Sequence, residues 1–276
     1  AERLHLSISS LSKRISELEQ SLGFPLFDRA GRRAALNDAG ERLLPQAWHL
    51  LQEAENIRRT MRLDNGLAGR CRIGVGEFTA LTWLPRLLVM AKHLPPELVL
   101  EPTVDVGLEL QKKMQSGELD FAIIAGRSRR EGISSELIGE APFCWVIAAE
   151  LERSVTMLTP DLLEKYPLVT LPLGAGTSYI LDDWLSASGQ FACQRLICNN
   201  WGAIAGLVAN GVGLGMLPTS WATIFEERGQ LRKLQSVPAL GPRAYSLQWH
   251  SHETRPLLAS IRDIAHKTVD FSIAPR

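Results

Sequence analysis

The sequence has little cysteine, no net charge and no long apolar run, and each shortage excludes a class of protein. Its four cysteines form no CxxC pair and have no histidine at metal-ligand spacing, so we predict no metal site. The 30 Lys and Arg residues equal the 30 Asp and Glu residues in number, which excludes a uniformly basic nucleic-acid coat. No apolar run of about 18 residues and no signal-peptide pattern is present, so we expect a cytoplasmic protein without a membrane partner.

Enzyme signatures are also missing. The glycine-rich segments GVGEF and GVGLG resemble phosphate-binding loops, but neither continues as GxGxxG nor carries GK[ST]. HExxH and GxSxG do not occur, and the histidines are scattered, although His250 and His252 could share one face of a strand. We therefore predict no catalytic residues and no cofactor.

The strongest positive signal in the sequence is a predicted basic and serine-rich helix near the N-terminus. Between Ser7 and Gly23, apolar residues recur at a 3-4-3-4 spacing that forms one buried stripe, at Ile8, Leu11, Ile15, Leu18 and Leu22. The opposite face is short, polar or basic, with Ser9, Ser12, Lys13, Ser16 and Gln20. Ser7 suits an N-cap and Gly23 a C-terminal stop. Such a face can enter a DNA major groove and contact phosphates or base edges.

The segment from Phe24 to Leu36 predicts a hairpin with an arginine-rich turn. Two short apolar runs flank the turn, which carries Arg29, Arg32 and Arg33. Guanidinium groups placed in this way would contact phosphates or a narrow minor groove. The alternative is an ordinary basic surface hairpin.

A long helix follows from about residue 38 to residue 63. Asn37 can cap it, and Pro45 falls in its first turns, where the missing N–H costs least. A 4-3-4-3-4 seam runs along it through Leu43, Ala47, Leu50, Ala54, Ile57 and Met61. A seam this narrow favours a partner helix, and about 25 residues make a rod of roughly 38 Å. We interpret it as a dimerisation helix; the alternative is a long helix that packs on its own domain.

From about residue 70, apolar strands alternate with helices, which predicts two α/β units with a cleft between them. The predicted strands are 72–76, 98–104, 120–126, 143–149, 167–173, 212–218 and 245–250, and the predicted helices are 82–94, 108–116, 178–187, 201–209 and 256–270. The strand 120–126, after its first residue Asp120, and the strand 143–149 are apolar, as is typical of parallel sheets.

Ligands of such folds bind at the carboxyl ends of strands and against helix N-termini. The residues predicted at this rim are Glu77, Phe78, Thr79, Gly107, Gly176, Thr177, Ser178, Asn199, Asn200 and Trp201. Helix N-termini with hydroxyls and amides favour a small anion such as a carboxylate, and Phe78 and Trp201 would supply an aromatic wall. The alternative for Thr177, Ser178 and Asn200 is simple helix capping. Glu77 argues against an anion and would instead select an amine or hydroxyl.

The whole chain resembles the LysR-type transcriptional regulators. The resemblance rests on AERLHLSISSLSKRISELEQSLGFPLFDRAGRRAALNDAGERLL and then on CRIGVGEFTALTWLPRLL, GELDFAIIAG, PLVTLPLGAGTSYILDDWL and NGVGLGMLP. It implies a partial winged helix-turn-helix over 1–37, a linker and dimerisation helix over 38–65, and a periplasmic-binding-protein-like effector domain. That domain would comprise subdomain I, residues 70–147 and 244–276, and subdomain II, residues 148–243. Gly107 stands where the family often has Ser or Thr.

The resemblance also implies partners. Promoter or operator DNA would be contacted by Ser7, Ser9, Ser12, Lys13 and Arg14 in the groove and by Arg29, Arg32 and Arg33 at the backbone or minor groove. A small carboxylate or amino-acid-like effector would bind in the cleft of a homodimer or homotetramer, with RNA polymerase as a further partner.

Two alternatives to this interpretation stay open. The chain begins at Ala1, inside the helix that precedes the recognition helix, so we expect a frayed head and consider a sensor without competent DNA binding. Peroxide-sensing members of the family use a cysteine pair, and Cys193 and Cys198 lie close in sequence. The ordinary interpretation of these cysteines is buried thiols.

Overall fold

The fold is taken from a computed structural model, which describes residues 7–28, 34–62, 69–96, 98–128, 130–174, 176, 178–190 and 194–273. The chain divides into two compact units. One is formed mainly by residues 1–58, and the other by most of residues 59–276.

The N-terminal unit consists of helix α1 (Ile8–Leu22), a small antiparallel hairpin of β1 (Phe27–Asp28) and β2 (Ala35–Leu36), and helix α2 (Asp38–Arg62). Ser7 caps α1, because its Oγ accepts a hydrogen bond from the backbone N–H of Ser10 at 3.1 Å. Gly23 ends the helix at φ 82°, a left-handed conformation that favours glycine. Both ends of α1 therefore lie where the sequence predicts them.

The start of α2 is tied to the hairpin. Asn37 accepts a hydrogen bond from the N–H of Gly40 at 2.9 Å, which confirms the predicted cap, and its amide donates to the carbonyl of Pro25 at 2.9 Å. Gly40 lies so close to Leu26 that a Cβ there would be 2.3 Å from the Leu26 carbonyl oxygen. Only glycine fits this crossing of helix and hairpin.

The second unit is an α/β structure with two sheets. Its described strands are β3 (Gly69–Val75), β4 (Leu98–Val104), β5 (Phe121–Ala125), β6 (Ile133–Ala141), β7 (Phe143–Ala148), β8 (Leu168–Thr170), β9 (Arg195–Ile197), β10 (Leu214–Pro218), β11 (Leu231–Leu234) and β12 (Arg243–His250). Its described helices are α3 (Glu77–Thr82), α4 (Leu84–Ala91), α5 (Gly107–Gln115), α6 (Pro160–Lys165), α7 (Ser178–Ser188), α8 (Trp201–Ala209), α9 (Thr219–Glu227) and α10 (Pro256–Thr268). The helix predicted over 82–94 corresponds to α4, and the short helix α3 before it, which meets α4 at Trp83, was not predicted.

Each sheet has five strands and mixed directions. The first has the order β4-β3-β5-β12-β6, with β3 parallel to β4 and β5, and β12 antiparallel to both of its neighbours. The second has the order β11-β7-β10-β8-β9, with β8 parallel to β9 and β10. No described helix is both long and apolar enough to cross a membrane.

Strand β7 corrects the predicted subdomain boundary. Its apolar sequence suggested a parallel strand at the end of subdomain I, but it pairs antiparallel with β10 and β11 in the second sheet. The chain therefore passes between the sheets at Pro142, and not at residue 148, and it returns at Arg243, where β12 begins. An apolar run shows that both faces of a strand are covered, but it specifies neither direction nor sheet.

A continuous core joins the two sheets. Phe78 from α3 stacks on Phe271 at a centroid distance of 5.4 Å and lies edge-on to Phe143 of β7 and Trp221 of α9. Tyr245 of β12 packs on Phe271 at 4.4 Å. Since these rings come from elements of both sheets, aromatic packing stabilises their relative position.

A buried charge network closes the amino-terminal edge of the first sheet. One carboxylate oxygen of Asp120 accepts hydrogen bonds from the backbone N–H and Nε of Arg72 at 2.8 and 3.1 Å, and the other accepts from Arg255 at 3.2 Å. Burial by itself would raise the pKa of Asp120, but the hydrogen bonds and charge of Arg72 outweigh it and lower this pKa below its usual value.

Candidate functional site

A cavity of about 240 Å³ lies between the two sheets of the second unit. Its walls come from the residues that follow β3, β4, β8 and β9 and from the end of β5, so it lies at the carboxyl ends of parallel strands, where α/β folds bind ligands. Of the predicted rim residues, the structure brings together Glu77, Phe78, Gly107, Gly176, Asn199, Asn200 and Trp201. The sequence analysis missed Val104, Asp105, Val106, Leu110, Ile123, Ile124, Ala125, Leu171 and Tyr245, which also line the cavity.

The N-terminus of α8, which we predicted to bind a carboxylate ligand, holds a carboxylate of the chain itself. Glu77 accepts hydrogen bonds from the backbone N–H of Trp201 and from the side-chain amide of Asn200, both at 2.7 Å. Asn200 also caps α8 through Ala203 N at 2.8 Å, so the capping alternative holds for it. A helix N-terminus favours any negative charge, and Glu77 supplies one from the opposite sheet.

Asp105 gives the cavity a second carboxylate. It accepts hydrogen bonds from Lys113 Nζ and from the backbone N–H of Val106, both at 2.8 Å. Burial would raise its pKa, but the hydrogen bonds from Lys113 and Val106 and the charge of Lys113 together outweigh burial and keep the pKa below the usual value. The described lining includes no Lys or Arg side chain, so the electrostatics of this cavity disfavour an anionic group.

Gly176 is a glycine because the two subdomains approach each other there. A Cβ at Gly176 would lie 2.6 Å from the carbonyl oxygen of Ala125, which is too close for any side chain. A Cβ at Gly107 would lie 3.3 Å from Ile124 Cγ2 and 3.4 Å from the backbone nitrogen of Gly176, so residue 107 could hold a side chain after a small adjustment of Ile124.

Two predicted rim residues do not face the cavity. Thr79 is fully buried, and its hydroxyl has no hydrogen-bond partner among the described residues. Ser178 is buried beside the cavity, next to Thr170 and Met216. Thr177 lies outside the described residues.

The predicted aromatic wall is present, but Phe78 belongs to the core. It is 2% exposed and forms the aromatic cluster described above, whereas Trp201 packs on Phe143 at 5.9 Å. Both residues therefore connect the cavity wall to the contact between the sheets.

The predicted groove-reading face of α1 is exposed. Ser9, Ser12, Lys13 and Arg14 are all exposed to solvent, and the ion pair between Lys13 and Glu17 is loose at 3.9 Å. The hydroxyl of Ser7 is already engaged as the helix cap. Arg29, Arg32 and Arg33 lie outside the described residues.

Helix α2 exposes a wider apolar surface than the predicted seam. Leu50 is 70% exposed and Ala54 is exposed, whereas Leu43 and Ala47 are half-buried. A neighbouring row that the heptad analysis missed is also exposed, namely Leu44, Trp48 and Leu51. The side chains of Ile57 and Met61 lie outside the description.

The described cysteines and histidines form no reactive centre. Burial raises the pKa of the Cys71 thiol and raises that of Cys144 to about 11, which disfavours the reactive thiolate. The rings of His250 and His252 lie 5.2 Å apart, and no group of three potential metal ligands occurs in the described part of the chain. Cys193, one member of the proposed redox pair, lies outside the described residues.

Comparison with known proteins agrees with this division into units. Residues 64–270 match the family model of the LysR substrate binding domain, and residues 1–41 match that of the bacterial regulatory helix-turn-helix protein, lysR family. The Hca operon transcriptional activator HcaR of Escherichia coli (strain K12) is 33% identical over 264 residues, which cover 94% of this chain and 88% of HcaR. The HTH-type transcriptional regulator cbl of the same strain is 29% identical and covers 84% of this chain and 75% of its own length.

Solved structures show the same fold. A full-length OxyR variant from Pseudomonas aeruginosa matches with a TM-score of 0.71 at 22% identity, over 98% of this chain and 89% of that chain. The reduced regulatory domain of OxyR2 from Vibrio vulnificus matches with a TM-score of 0.61 at 19% identity, over 75% of this chain and 98% of that chain. The chain belongs to the LysR family of transcriptional regulators, with a helix-turn-helix segment followed by a substrate-binding domain.

Proposed function

We propose that this regulator binds promoter DNA through the exposed face of α1 and that a small molecule in the cavity between the two sheets modulates this binding. The observation that carries the proposal is the combination of a solvent-exposed Ser9, Ser12, Lys13 and Arg14 face with a lined cavity in a separate compact unit. Short hydroxyl side chains read base edges, while Lys and Arg neutralise phosphates.

Helix α2 is proposed to pair two chains. Leu44, Trp48, Leu50 and Leu51 expose apolar surface on one helix, which is unfavourable in water and favours burial against a second copy. Two paired copies would place two α1 helices on a pseudo-palindromic site.

The contacts of Glu77 suggest how a ligand would alter the sensor. Its carboxylate connects α3 at the first sheet to α8 at the second. A ligand that competes for the Asn200 amide or the Trp201 N–H would remove this connection and shift the relative position of the sheets. Allosteric control requires a ligand that binds one arrangement of the two sheets more tightly than the other, and competition for the contacts of Glu77 would provide that difference.

DNA selection tests the proposal directly. The full chain is incubated with random duplex DNA, bound DNA is recovered over several rounds, and affinity for the selected sequence is measured at increasing salt. We expect a dyad-symmetric sequence and an affinity that falls steeply with salt, because Lys and Arg contacts release counterions from phosphates. Recovery of no preferred sequence would contradict the proposal.

A matched pair of lysine variants assigns the DNA contact to α1. Lys13→Ala should weaken binding and reduce the slope of log affinity against log salt by about 1. Lys92→Ala removes an equally exposed lysine from the second unit and should change neither quantity. Equal effects of the two substitutions would mean that α1 is not the DNA-reading helix.

A further inference from the structure

The effector cleft does not end at the cavity already described. A second cavity of about 750 Å³ adjoins it, and the two share Gly107, Ile124, Ala125 and Gly176 as walls. The second cavity lies between the same two subdomains, with Arg127 and Arg243 on one side and Tyr179 and Asp183 on the other.

Arg243 is held in place against this second cavity. A Cβ on Gly126 would lie 2.9 Å from Nη2 of Arg243, so the glycine leaves room for the guanidinium. Gly126 also has φ 87°, a left-handed conformation that favours glycine. The Cζ of Arg243 lies 5.9 Å from the ring centre of Tyr179 on α7. This cation–π contact joins Arg243 of β12, in the first sheet, to Tyr179 in the second subdomain.

The guanidinium of Arg243 lacks a compensating charge. Its Nε is buried without a hydrogen-bond partner among the described residues, and no described carboxylate forms an ion pair with it. Buried polar groups without partners are uncommon and costly, and a planar guanidinium is suited to two-point recognition of a carboxylate or phosphate. Arg127, exposed on the same wall, adds a second positive charge.

The two cavities therefore have opposite electrostatic character. The lining of the first contains Glu77, Asp105 and no described cationic side chain, with Lys113 paired to Asp105 from outside the lining, whereas the second contains arginines and one exposed acid, Asp183. A negative group is favoured in the second cavity and disfavoured in the first.

We propose that the effector places one anionic group, a carboxylate or a phosphate, against Arg243 and Arg127 and extends an uncharged or cationic end past Gly107 into the cavity at Glu77. This inference rests on the proposed function of the cleft as the effector site. It places the anion away from the helix N-terminus that the sequence suggested for it, because that N-terminus already holds Glu77, and it agrees with the alternative that Glu77 selects an amine or hydroxyl.

Calorimetric titration of the full chain with compounds of matched length tests the inference. The probes are alkanoates, ω-amino acids, alkyl phosphates and α,ω-dicarboxylates of increasing chain length. We expect the best monoanion to bind at least about tenfold more tightly than the dicarboxylate of the same length, since one end of the dicarboxylate must lie beside Glu77. The comparison of alkanoate with alkyl phosphate identifies which anion the arginines prefer.

Three variants test which residue lies next to each end of the ligand. Arg243→Gln should weaken the best monoanion at least about tenfold, and Glu77→Gln should selectively improve the dicarboxylate. Arg228→Gln removes the same charge from an exposed position at the end of α9 and should have no effect.

Equal affinity for monoanion and dicarboxylate, identical behaviour of the Arg243 and Arg228 variants, or no binding of any anion would overturn the inference. Salt-dependent DNA binding through α1 is measured separately. A regulator that responds to a ligand without an anionic group would therefore keep the proposed function while this inference fails.

Discussion

The two units of this chain bury apolar surface very differently. Among the described residues up to 62, Leu26 is the one buried apolar side chain, and Leu18, Phe24, Leu44, Trp48, Leu50 and Leu51 are exposed. The second unit encloses a continuous core that includes fully buried Trp83, Phe121 and Ile147. The sensing unit therefore contains the packing that stabilises it, whereas the N-terminal unit has apolar surface that only another surface can cover.

The largest effect is expected in the sensing unit, at Asp120. Asp120→Ala should lower the free energy of unfolding by about 3–5 kcal/mol, because it removes the carboxylate from partly buried Arg72 and leaves Arg255 with Glu253 alone. Urea unfolding followed by near-ultraviolet circular dichroism measures the change. Asp263→Ala removes an exposed partner of Lys267 and should cost less than about 0.5 kcal/mol. If Asp120→Ala costs no more than Asp263→Ala, the buried ion pairs of Asp120 do not stabilise the fold.

The same carboxylate predicts how stability depends on pH. The pKa of Asp120 is lower in the folded chain than its usual value of about 3.9. Its stabilising contribution is therefore complete above that value and is lost as the pH falls through the lowered folded-state pKa. The stability difference between the wild type and Asp120→Asn should shrink in acid. A difference that stays constant down to pH values well below 4 would contradict the shift.

One substitution made in both units tests their packing with opposite expected signs. Gly40→Ala should destabilise the N-terminal unit by about 2 kcal/mol, because the new methyl group would meet the Leu26 carbonyl oxygen. Gly206→Ala, inside α8, meets no atom within 4 Å and should stabilise the second unit by about 0.5–1 kcal/mol. Hydrogen exchange of amides near residues 26–45 and 201–209 separates the two effects. Similar signs at the two positions would mean that the close approach at Gly40 is not real.

The exposed surface of α2 can be tested by making it polar. Leu50→Gln should weaken association of two chains by about tenfold or more, since a buried leucine contributes about 1.5–3 kcal/mol. Sedimentation equilibrium measures the dissociation constant. Arg42→Gln changes an exposed residue on the helix face opposite Leu44 and Leu51 and should leave association unchanged. Loss of association in both variants, or in neither, would exclude this surface as the interface.

Local signals in the sequence predicted most of the described helices and strands, but not the helices α3, α6 and α9 or the strands β6, β9 and β11. Ser7, Gly23 and Asn37 act within three or four residues of themselves, so caps and stops could be assigned without tertiary structure. Strand partners could not be assigned in this way. Strand β6 has a mostly half-buried sequence without a clear period, and β7 has the same apolar pattern whichever sheet it joins.

The candidate site shows the same limit. The positions of Glu77, Asn200 and Trp201 after strands placed them at one rim, because carboxyl ends of parallel strands meet there. The hydrogen bonds between them join residues more than 120 positions apart, and no local pattern encodes that pairing. Tyr245 and Arg243 were missed for the same reason, since β12 reaches the cleft only after the chain returns from the second subdomain.

The smallest effect on stability is expected at the ion pair between Lys13 and Glu17 in α1. Glu17→Gln removes a carboxylate that is 61% exposed and lies 3.9 Å from Lys13, so it should change unfolding by less than about 0.5 kcal/mol. It should nevertheless strengthen DNA binding a few-fold at low salt, because Lys13 loses a competing anion and α1 becomes more positive. Fluorescence anisotropy with the selected DNA at two salt concentrations measures this gain, which should fall at the higher one. A gain that is independent of salt, or a stability loss approaching that of Asp120→Ala, would mean that the charges of α1 serve the fold of the N-terminal unit instead of contact with DNA.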